Sequence, residues 1–359
     1  CSDLQTVPVD NTYRELITVN NRDFQRYAVE NSIYFGPVDD DEIERLHYQH
    51  ELFNMVFENR LIFPPIPRPR RILECGSGSG AWAIEVAEQY PECEVRVPCV
   101  SSLSSIPSTC QRDPWRVIGL DIYPYPVPED IPENVDFQVD DLNSPSTFPS
   151  NYFDLVNSRL MSGGIHVNRW SNYLSDIFRV LRPGGWCQMV EIYYNAQSDN
   201  GTLTANHALQ VWSQSYLQSI QHYKDPRVAL RLQTLMTEAG FVEVESRLLT
   251  LPLSGWSNDP RDREIGAANR ANVHRLLSSL AMYPFSQGLG MSNTDIQLLV
   301  AQARSEADNP AFKAYFPVYV CIGRKPGSSR HHRHSESHRP HTPSSKGGRH
   351  GDSRKRARH

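Results

Sequence analysis

The apolar residues of this chain follow two alternating periods, which predicts strands that alternate with helices. Short apolar or alternating runs predict strands, whereas apolar residues three or four positions apart predict helices. The first predicted strand ends at 72–73, and the others cover 117–122, 135–142, 153–159, 186–194, 241–249 and 315–324. The predicted helices cover 40–63, 81–90, 169–180, 207–222, 228–239, 262–282 and 295–307. This alternation is typical of an α/β fold with a mostly parallel sheet and helices on both faces.

A glycine turn joins the first predicted strand to the helix that follows it. Gly76, Gly78 and Gly80 stand at alternate positions, where the missing Cβ lets the backbone approach a ligand, and the helix N-terminus offers free N–H groups. Their G-x-G-x-G spacing differs from the dinucleotide fingerprint G-x-G-x-x-G. Glu74 would repel a pyrophosphate and favours a cationic ligand end. The turn therefore predicts a nucleoside site of this kind, or a glycine-rich turn without a ligand.

The acid expected to hold a ribose is displaced along the chain. In nucleotide-binding β-α-β units such an acid follows the glycine turn by about 20 residues. Asp121, at the end of the second predicted strand, lies 41 residues after Gly80. Residues 97–116 are serine-rich and lack periodicity, and their removal restores the expected spacing. We predict a surface insertion here, with a translated intron and a genuine long loop as its alternative origins.

Two further segments have a pattern with functional meaning. The third predicted strand ends in Asp140 and Asp141, followed by Leu142. The segment L-R-P-G-G at 181–185 stops a helix, and its glycines make the turn into the fifth strand. These segments agree in order and spacing with the glycine turn and Asp121, which supports one interpretation for all of them.

The E-x-G-x-G-x-G motif at 74–80 resembles motif I of class I S-adenosylmethionine (SAM) methyltransferases, and L-R-P-G-G resembles their post-I region. The resemblance implies a Rossmann-like sheet of seven strands, mostly parallel, with an antiparallel last strand between strands five and six, and SAM as cofactor. It implies that the acid of motif I contacts the methionine moiety, that Asp121 holds the ribose and that residues after strand three bind the adenine. The cofactor-binding residues that it implies are Glu74, Gly76, Ser77, Gly78, Gly80, Asp121, Ile122, Asp140, Asp141, Leu142 and Ser158.

A narrower resemblance is to the fungal LaeA-type methyltransferases. The residues that carry it are Tyr34, Pro37, Asp40, Glu42, Arg45, Leu46 and His50, the D-L-V-N-S-R-L strand, and W-x-x-S from Trp212 to Ser215. These proteins function in secondary metabolism. Some are nuclear regulators that work with velvet-family proteins, and others methylate small molecules. The resemblance implies methyl transfer to an oxygen or nitrogen nucleophile of a small molecule or protein. The alternatives are a SAM-fold regulator that binds velvet-type partners without essential catalysis, and a nicotinamide dehydrogenase, which the glycine spacing disfavours.

No catalytic residue follows from the sequence. The candidates near the expected methyl position are Ser158, Arg159, His166 and Tyr193. Methyl transfer needs a base only when the nucleophile must lose a proton, so none of them is assigned a role. Tyr34, before the first long helix, is expected either to contact the ligand or to pack on that helix.

Charge divides the chain into two parts. The net charge is −5, but residues 327–359 hold nine Lys or Arg against two acids, so residues 1–326 carry −12. The tail also holds seven of the 13 histidines, which predicts disorder. Its cluster at 354–358 is expected to be a nuclear localisation signal, an acid-seeking arm or a solubilising tail. Because only the tail is basic, nucleic-acid modification is disfavoured.

Composition and periodicity predict the compartment and the domains. The sequence contains no run of about 18 apolar residues, so no membrane span is predicted. The seven scattered cysteines favour a reducing compartment, either cytoplasm or nucleus. The expected domains are an N-terminal segment with a cap helix (1–63), a methyltransferase domain (64–326) with a helical lid at 253–310, and the basic tail (327–359).

Overall fold

The helices and strands follow the predicted alternation. A computed structural model describes residues 7–91, 116–128 and 130–327. The strands are β1 (Leu16–Val19), β2 (Arg22–Gln25), β3 (Arg71–Cys75), β4 (Arg116–Asp121), β5 (Val135–Val139), β6 (Phe153–Arg159), β7 (Leu181–Ile192), β8 (Gln197–Ser198), β9 (Val242–Pro252) and β10 (Ala314–Arg324). The helices are α1 (Arg26–Glu30), α2 (Asp40–Val56), α3 (Ala81–Gln89), α4 (Trp170–Val180), α5 (Ala208–Ile220), α6 (Leu232–Glu238), α7 (Pro260–Tyr283) and α8 (Asn293–Asp308).

The central sheet has the predicted topology. Its strand order is β5-β4-β3-β6-β7-β10-β9, with β3 to β7 parallel and β10 antiparallel to both β7 and β9. The two-residue β8 pairs with the start of β10 as an eighth strand. The hairpin of β1 and β2 lies outside this sheet and was not predicted, because its four-residue strands are too short to establish a period.

Helices cover both faces of the sheet because successive side chains of each strand point in opposite directions. On β3, Ile72 packs with Trp82 of α3 on one face. Its neighbour Leu73 packs with Tyr173 of α4 on the other face. The same division separates Val117 from Ile118 on β4, so the parallel strands are buried on both sides.

Two predicted boundaries are wrong. The helix predicted at 40–63 ends at Val56, because Glu58 and Asn59 have φ angles of 54° and 58°, in the left-handed region. The turn expected at 181–185 is a bulge inside β7 rather than a break before it. Leu181 pairs with Phe153, and the pairing resumes at Trp186, so four residues loop out between two paired positions.

Several expectations fall partly or wholly outside the described residues. The expected insertion at 97–116 does so except for Arg116, which begins β4, and the basic tail does so except for Gly327. The segment expected to form a helical lid contains α7 and α8, which lie between β9 and β10 in the chain. None of the helices in the described part is both long and apolar enough to cross a membrane.

Candidate functional site

A cavity of about 1160 Å³, including its open mouth, lies at the carboxyl ends of the parallel strands. This edge is where ligands bind in open α/β sheets. Its described lining includes the predicted residues Gly76, Ser77, Gly78, Asp121, Ile122, Asp140, Asp141 and Leu142. The chain therefore brings the glycine turn, the second-strand acid and the third-strand acids together around one space.

The glycine turn is fixed to strand β4. The N–H groups of Gly76 and Ser77 both donate to the carbonyl oxygen of Leu120 at 2.8 Å. Gly76 and Gly78 have φ angles of 73° and 52°, which favour glycine. A methyl group on Gly76 would also overlap Met161 Sδ. The turn therefore packs directly on Met161 and leaves no space for a side chain at this position.

Asp121 connects the turn to the second-strand end. Its Oδ2 accepts from the Gly78 N–H at 2.8 Å, and its Oδ1 accepts from the Tyr123 N–H at 3.1 Å. Burial raises the pKa of Asp121, and these backbone donors oppose the rise. The side chain is thereby held at the cavity wall, as a ribose-binding acid would need to be.

The third-strand acids are ordered by local hydrogen bonds. Asp140 Oδ1 accepts from the Asp141 N–H at 2.9 Å, and Asp141 Oδ1 accepts from the backbone and side-chain amides of Asn143 at 2.8 and 3.0 Å. Asn143 in turn donates from Nδ2 to the carbonyl of Gly164 at 3.0 Å. This network fixes the cavity wall opposite the glycine turn.

Glu74 lies behind the cavity wall rather than in it. It is fully buried on β3, and neither of its carboxylate oxygens has a hydrogen-bond partner. Its nearest described countercharge is Arg159, whose Nη2 lies 3.8 Å from Glu74 Oε1 and which does line the cavity. Burial raises the pKa of Glu74 to about 8, although Arg159 opposes the rise. A buried carboxyl group without a hydrogen-bond partner, beside the glycine turn, fits the amino-acid end of SAM.

The structure corrects the prediction for Ser158, and Gly80 also lies outside this cavity's lining. Ser158 is fully buried, and its Oγ shares a hydrogen bond of 2.9 Å with Tyr173 Oη of α4. Strand alternation turns it away from the cavity. Gly80 is the N-cap of α3 and borders an adjoining groove with Phe137.

Of the other catalytic candidates, only Arg159 lines the cavity. His166 Nε2 instead bonds the carbonyl oxygen of Ser32 at 2.9 Å. Burial, followed by the nearby Lys224, lowers the pKa of His166. Tyr193 is absent from the described lining, because the next residue, Tyr194, has the side-chain direction that reaches it.

Sequence reasoning missed the far end of the cavity. This aromatic end is formed by Tyr34, Arg45, Tyr194, Tyr216, Leu276 and Leu280. Tyr34 was expected either to contact the ligand or to pack on the first long helix. Arg45 was named only as part of the resemblance to LaeA-type proteins. The remaining residues lie just after β7, on α5 and on α7, far apart in the chain. Their apolar spacing indicates a core helix or strand as readily as a cavity wall.

Arg45 is held rigidly within this aromatic end. Its Nε and Nη2 donate to Glu42 Oε1 at 3.0 and 2.7 Å, and its Nη1 donates to Gln49 Oε1 at 2.6 Å. Tyr194 and Tyr216 meet edge to face with ring centroids 5.5 Å apart, and Trp212 stacks behind Tyr216. The wall is therefore aromatic, with a neutralised ion pair beside it.

Comparisons with known proteins identify the family of this chain. The methyltransferase domain family model matches residues 48–246, more than half of the chain. The secondary metabolism regulator laeA of Monascus pilosus is 30% identical over 84% of this chain and 77% of its own length. The protein-methionine methyltransferase laeA of Emericella nidulans is 29% identical over 84% of this chain and 74% of its own length.

A solved structure is also similar. Haemonchus contortus phosphoethanolamine N-methyltransferase 2, in complex with phosphomonomethylethanolamine and S-adenosylhomocysteine, matches with a TM-score of 0.44 and 18% identity. The match covers 77% of this chain and 53% of that one. The family match and the laeA relatives confirm the predicted fold class and family. This chain is a SAM-dependent methyltransferase and belongs to the LaeA-type family of class I methyltransferases.

Proposed function

We propose that this enzyme binds SAM across the carboxyl ends of β3, β4 and β5, and methylates a methionine thioether at the aromatic end of the cavity. The observation that carries the proposal is the continuity of the cavity. One cavity is lined both by the glycine turn and Asp121 and by Tyr194 and Tyr216. Donor and acceptor can therefore meet inside the same cavity.

The cofactor-binding roles divide along the wall. The glycine turn with Gly76 and Gly78 receives the amino-acid end, and the buried carboxyl group of Glu74 lies behind it. Asp121 accepts hydrogen bonds from the ribose hydroxyls. The segment 140–142 receives the adenine. When bound, SAM supplies a methyl group carried on a positively charged sulfur.

The aromatic end suits an uncharged sulfur acceptor. Thioethers make favourable contacts with aromatic rings, and Tyr194 and Tyr216 provide such rings. The positive charge of Arg45 is neutralised by Glu42, so the pocket does not require a charged acceptor. The name of the Emericella nidulans relative, a protein-methionine methyltransferase, supports the same acceptor atom.

A thioether also suits a cavity in which the described histidine and Tyr34 are poorly placed to act as a base. Of the described histidines, only His50 lines the cavity. Its Nε2 bonds Glu85 Oε2 at 2.7 Å, and its Nδ1 is buried from solvent. Burial raises the pKa of the Tyr34 phenol, which makes this hydroxyl a poor base near neutral pH. A thioether has no proton to lose, so positioning and exclusion of water can supply the rate.

Calorimetry with S-adenosylhomocysteine tests the binding half of the proposal. Gly78→Arg should abolish binding, because a methyl group there would already reach Leu46 Cδ1 at 3.4 Å and a longer side chain must enter the cavity. Gly201→Arg is the matched control, since Gly201 also has a positive φ, of 71°, but has open space around it. Equal binding by wild type and Gly78→Arg would refute the proposed site.

Labelled SAM tests the transfer half. The enzyme is incubated with otherwise identical peptides that contain one methionine, one lysine or one serine. The expected result is label on the methionine peptide alone. Label on lysine or serine would instead support the nitrogen or oxygen acceptor implied by the sequence.

The family resemblance also supports a nuclear location and a velvet-type regulatory partner. A fluorescent fusion with and without residues 354–358 tests the first, and co-purification with a velvet protein tests the second. A cytoplasmic signal from the full chain would contradict the nuclear proposal.

A further inference from the structure

A short cap segment, residues 32–36, lies over the cavity between α1 and α2. Ile33 and Tyr34 of this segment line the cavity. The Tyr34 ring lies against the loop after β6, where a methyl group added to Gly163 would meet it at 3.7 Å. The cap therefore forms the cavity wall beside this loop.

Lys224 connects the cap to that loop. The residue follows α5, 191 positions from Ile33, and it is fully buried. Its Nζ donates to the carbonyl oxygen of Ile33 at 2.6 Å and to that of Gly164 at 3.3 Å. His166, on the same loop, bonds the carbonyl oxygen of Ser32 at 2.9 Å. Two side chains thus bond two successive carbonyls of the cap.

Burying the amine of Lys224 costs free energy, which a purely structural position would not require. Its hydrogen-bond partners are uncharged carbonyl groups, and burial lowers its pKa to about 7, with Asp141 opposing the fall. An apolar side chain of similar length would avoid the cost of burying the amine. The two bonded carbonyls belong to the cap and to the cavity loop, so the amine has both partners only when the two segments meet.

We propose that Lys224, assisted by His166, is a positioning residue that latches the cap onto the loop after β6 and so controls release of the cofactor product. The inference rests on the proposed function, since it takes S-adenosylhomocysteine as the occupant of the cavity. Lys224 itself does not line the main cavity, so it acts through Ile33 and Tyr34.

The test compares Lys224→Met with Lys325→Met. Lys325 Nζ also donates to two backbone carbonyls, those of Leu181 and Arg179, but at the far end of the sheet. Stopped-flow displacement should show S-adenosylhomocysteine leaving Lys224→Met about tenfold faster or more, because both hydrogen bonds of the buried amine are lost. Release from Lys325→Met should be unchanged. Equal release from wild type and Lys224→Met, or the same acceleration in both variants, would overturn the latch.

A double variant separates a latch from general destabilisation. Tyr34→Ala opens the cap directly, so adding Lys224→Met to it should not accelerate release further. Independent, multiplied effects would contradict the proposal. If Lys224→Met does not fold, His166→Ala decides in its place: faster release supports the latch, and unchanged release overturns it.

Hydrogen exchange keeps the latch distinct from the proposed function. Without any ligand, Lys224→Met should lose amide protection in residues 31–39, whereas Lys325→Met should keep it. If wild type fails to bind S-adenosylhomocysteine, the proposed cofactor site is wrong, and the exchange comparison still decides whether the cap is latched.

Discussion

Arg159 Nη2 lies 3.8 Å from Glu74 Oε1, close enough for electrostatic attraction but too far for a hydrogen bond. Both side chains are largely or fully buried, and only Arg159 reaches the cavity. Burial without a hydrogen bond leaves the carboxylate poorly stabilised, which is why its pKa rises to about 8.

Glu74→Gln should flatten the pH dependence of folding stability. The folded pKa of about 8 exceeds the ordinary value of 4.5, so between these values the folded state holds a proton that the unfolded state has lost. The free energy of unfolding should therefore fall as pH rises from 5 to 8, by about 2–4 kcal/mol from this group. Urea denaturation at several pH values measures the slope.

The exposed Glu51 on α2 supplies the control for this slope. Glu51→Gln should retain the wild-type dependence. An identical slope in wild type and Glu74→Gln would show that Glu74 is ionised throughout this range.

Asp121→Ala should weaken binding of S-adenosylhomocysteine by about 1–3 kcal/mol, because hydrogen bonds to the carboxylate are lost. The turn also loses its anchor, since Asp121 Oδ2 holds the Gly78 N–H. Calorimetry measures the affinity, with Asp136→Ala on β5, outside the described cavity lining, as control. Unchanged affinity in Asp121→Ala would exclude this carboxylate from cofactor binding.

The contribution of Lys224 to the free energy of unfolding should increase as pH rises above 7. Its folded pKa of about 7 lies below the ordinary 10.5, so between these values the unfolded state binds more protons. The free energy of unfolding should rise over this range by about 2–4 kcal/mol from this group. Denaturant titrations at pH 7 to 10 measure the rise, which Lys224→Met should lack. The same rise in the variant would assign it to another group.

Tyr216→Leu should reduce kcat/KM for the methionine peptide by up to about tenfold, since a thioether–aromatic contact is lost. Affinity for S-adenosylhomocysteine should not change, because Tyr216 lies at the aromatic end of the cavity. Tyr48→Leu, on the exposed side of α2, is the control. A loss of cofactor affinity equal to the loss of kcat/KM would place Tyr216 at the cofactor instead.

The motif-bearing half of the site could be predicted from sequence because each part is local. Three glycines at alternate positions require a tight turn after a strand, and Asp121 ends the adjacent strand. Parallel strands present their carboxyl ends at one edge, so these residues were expected to meet. The strand that carries Ser158 was predicted correctly, but the sequence did not show which of its alternating side chains point toward the cavity. Ser158 was therefore assigned to the wrong side.

The sequence by itself determined the order of strands and helices, the glycine turn, the second- and third-strand acids and the family, since each depends on spacing along a short segment. Only the tertiary structure decided that Glu74 lacks a hydrogen-bond partner, that Tyr194 and Tyr216 form an aromatic wall, and that Lys224 reaches the cap 191 residues away. Such contacts join segments distant in the chain, and local periodicity carries no information about which of them meet.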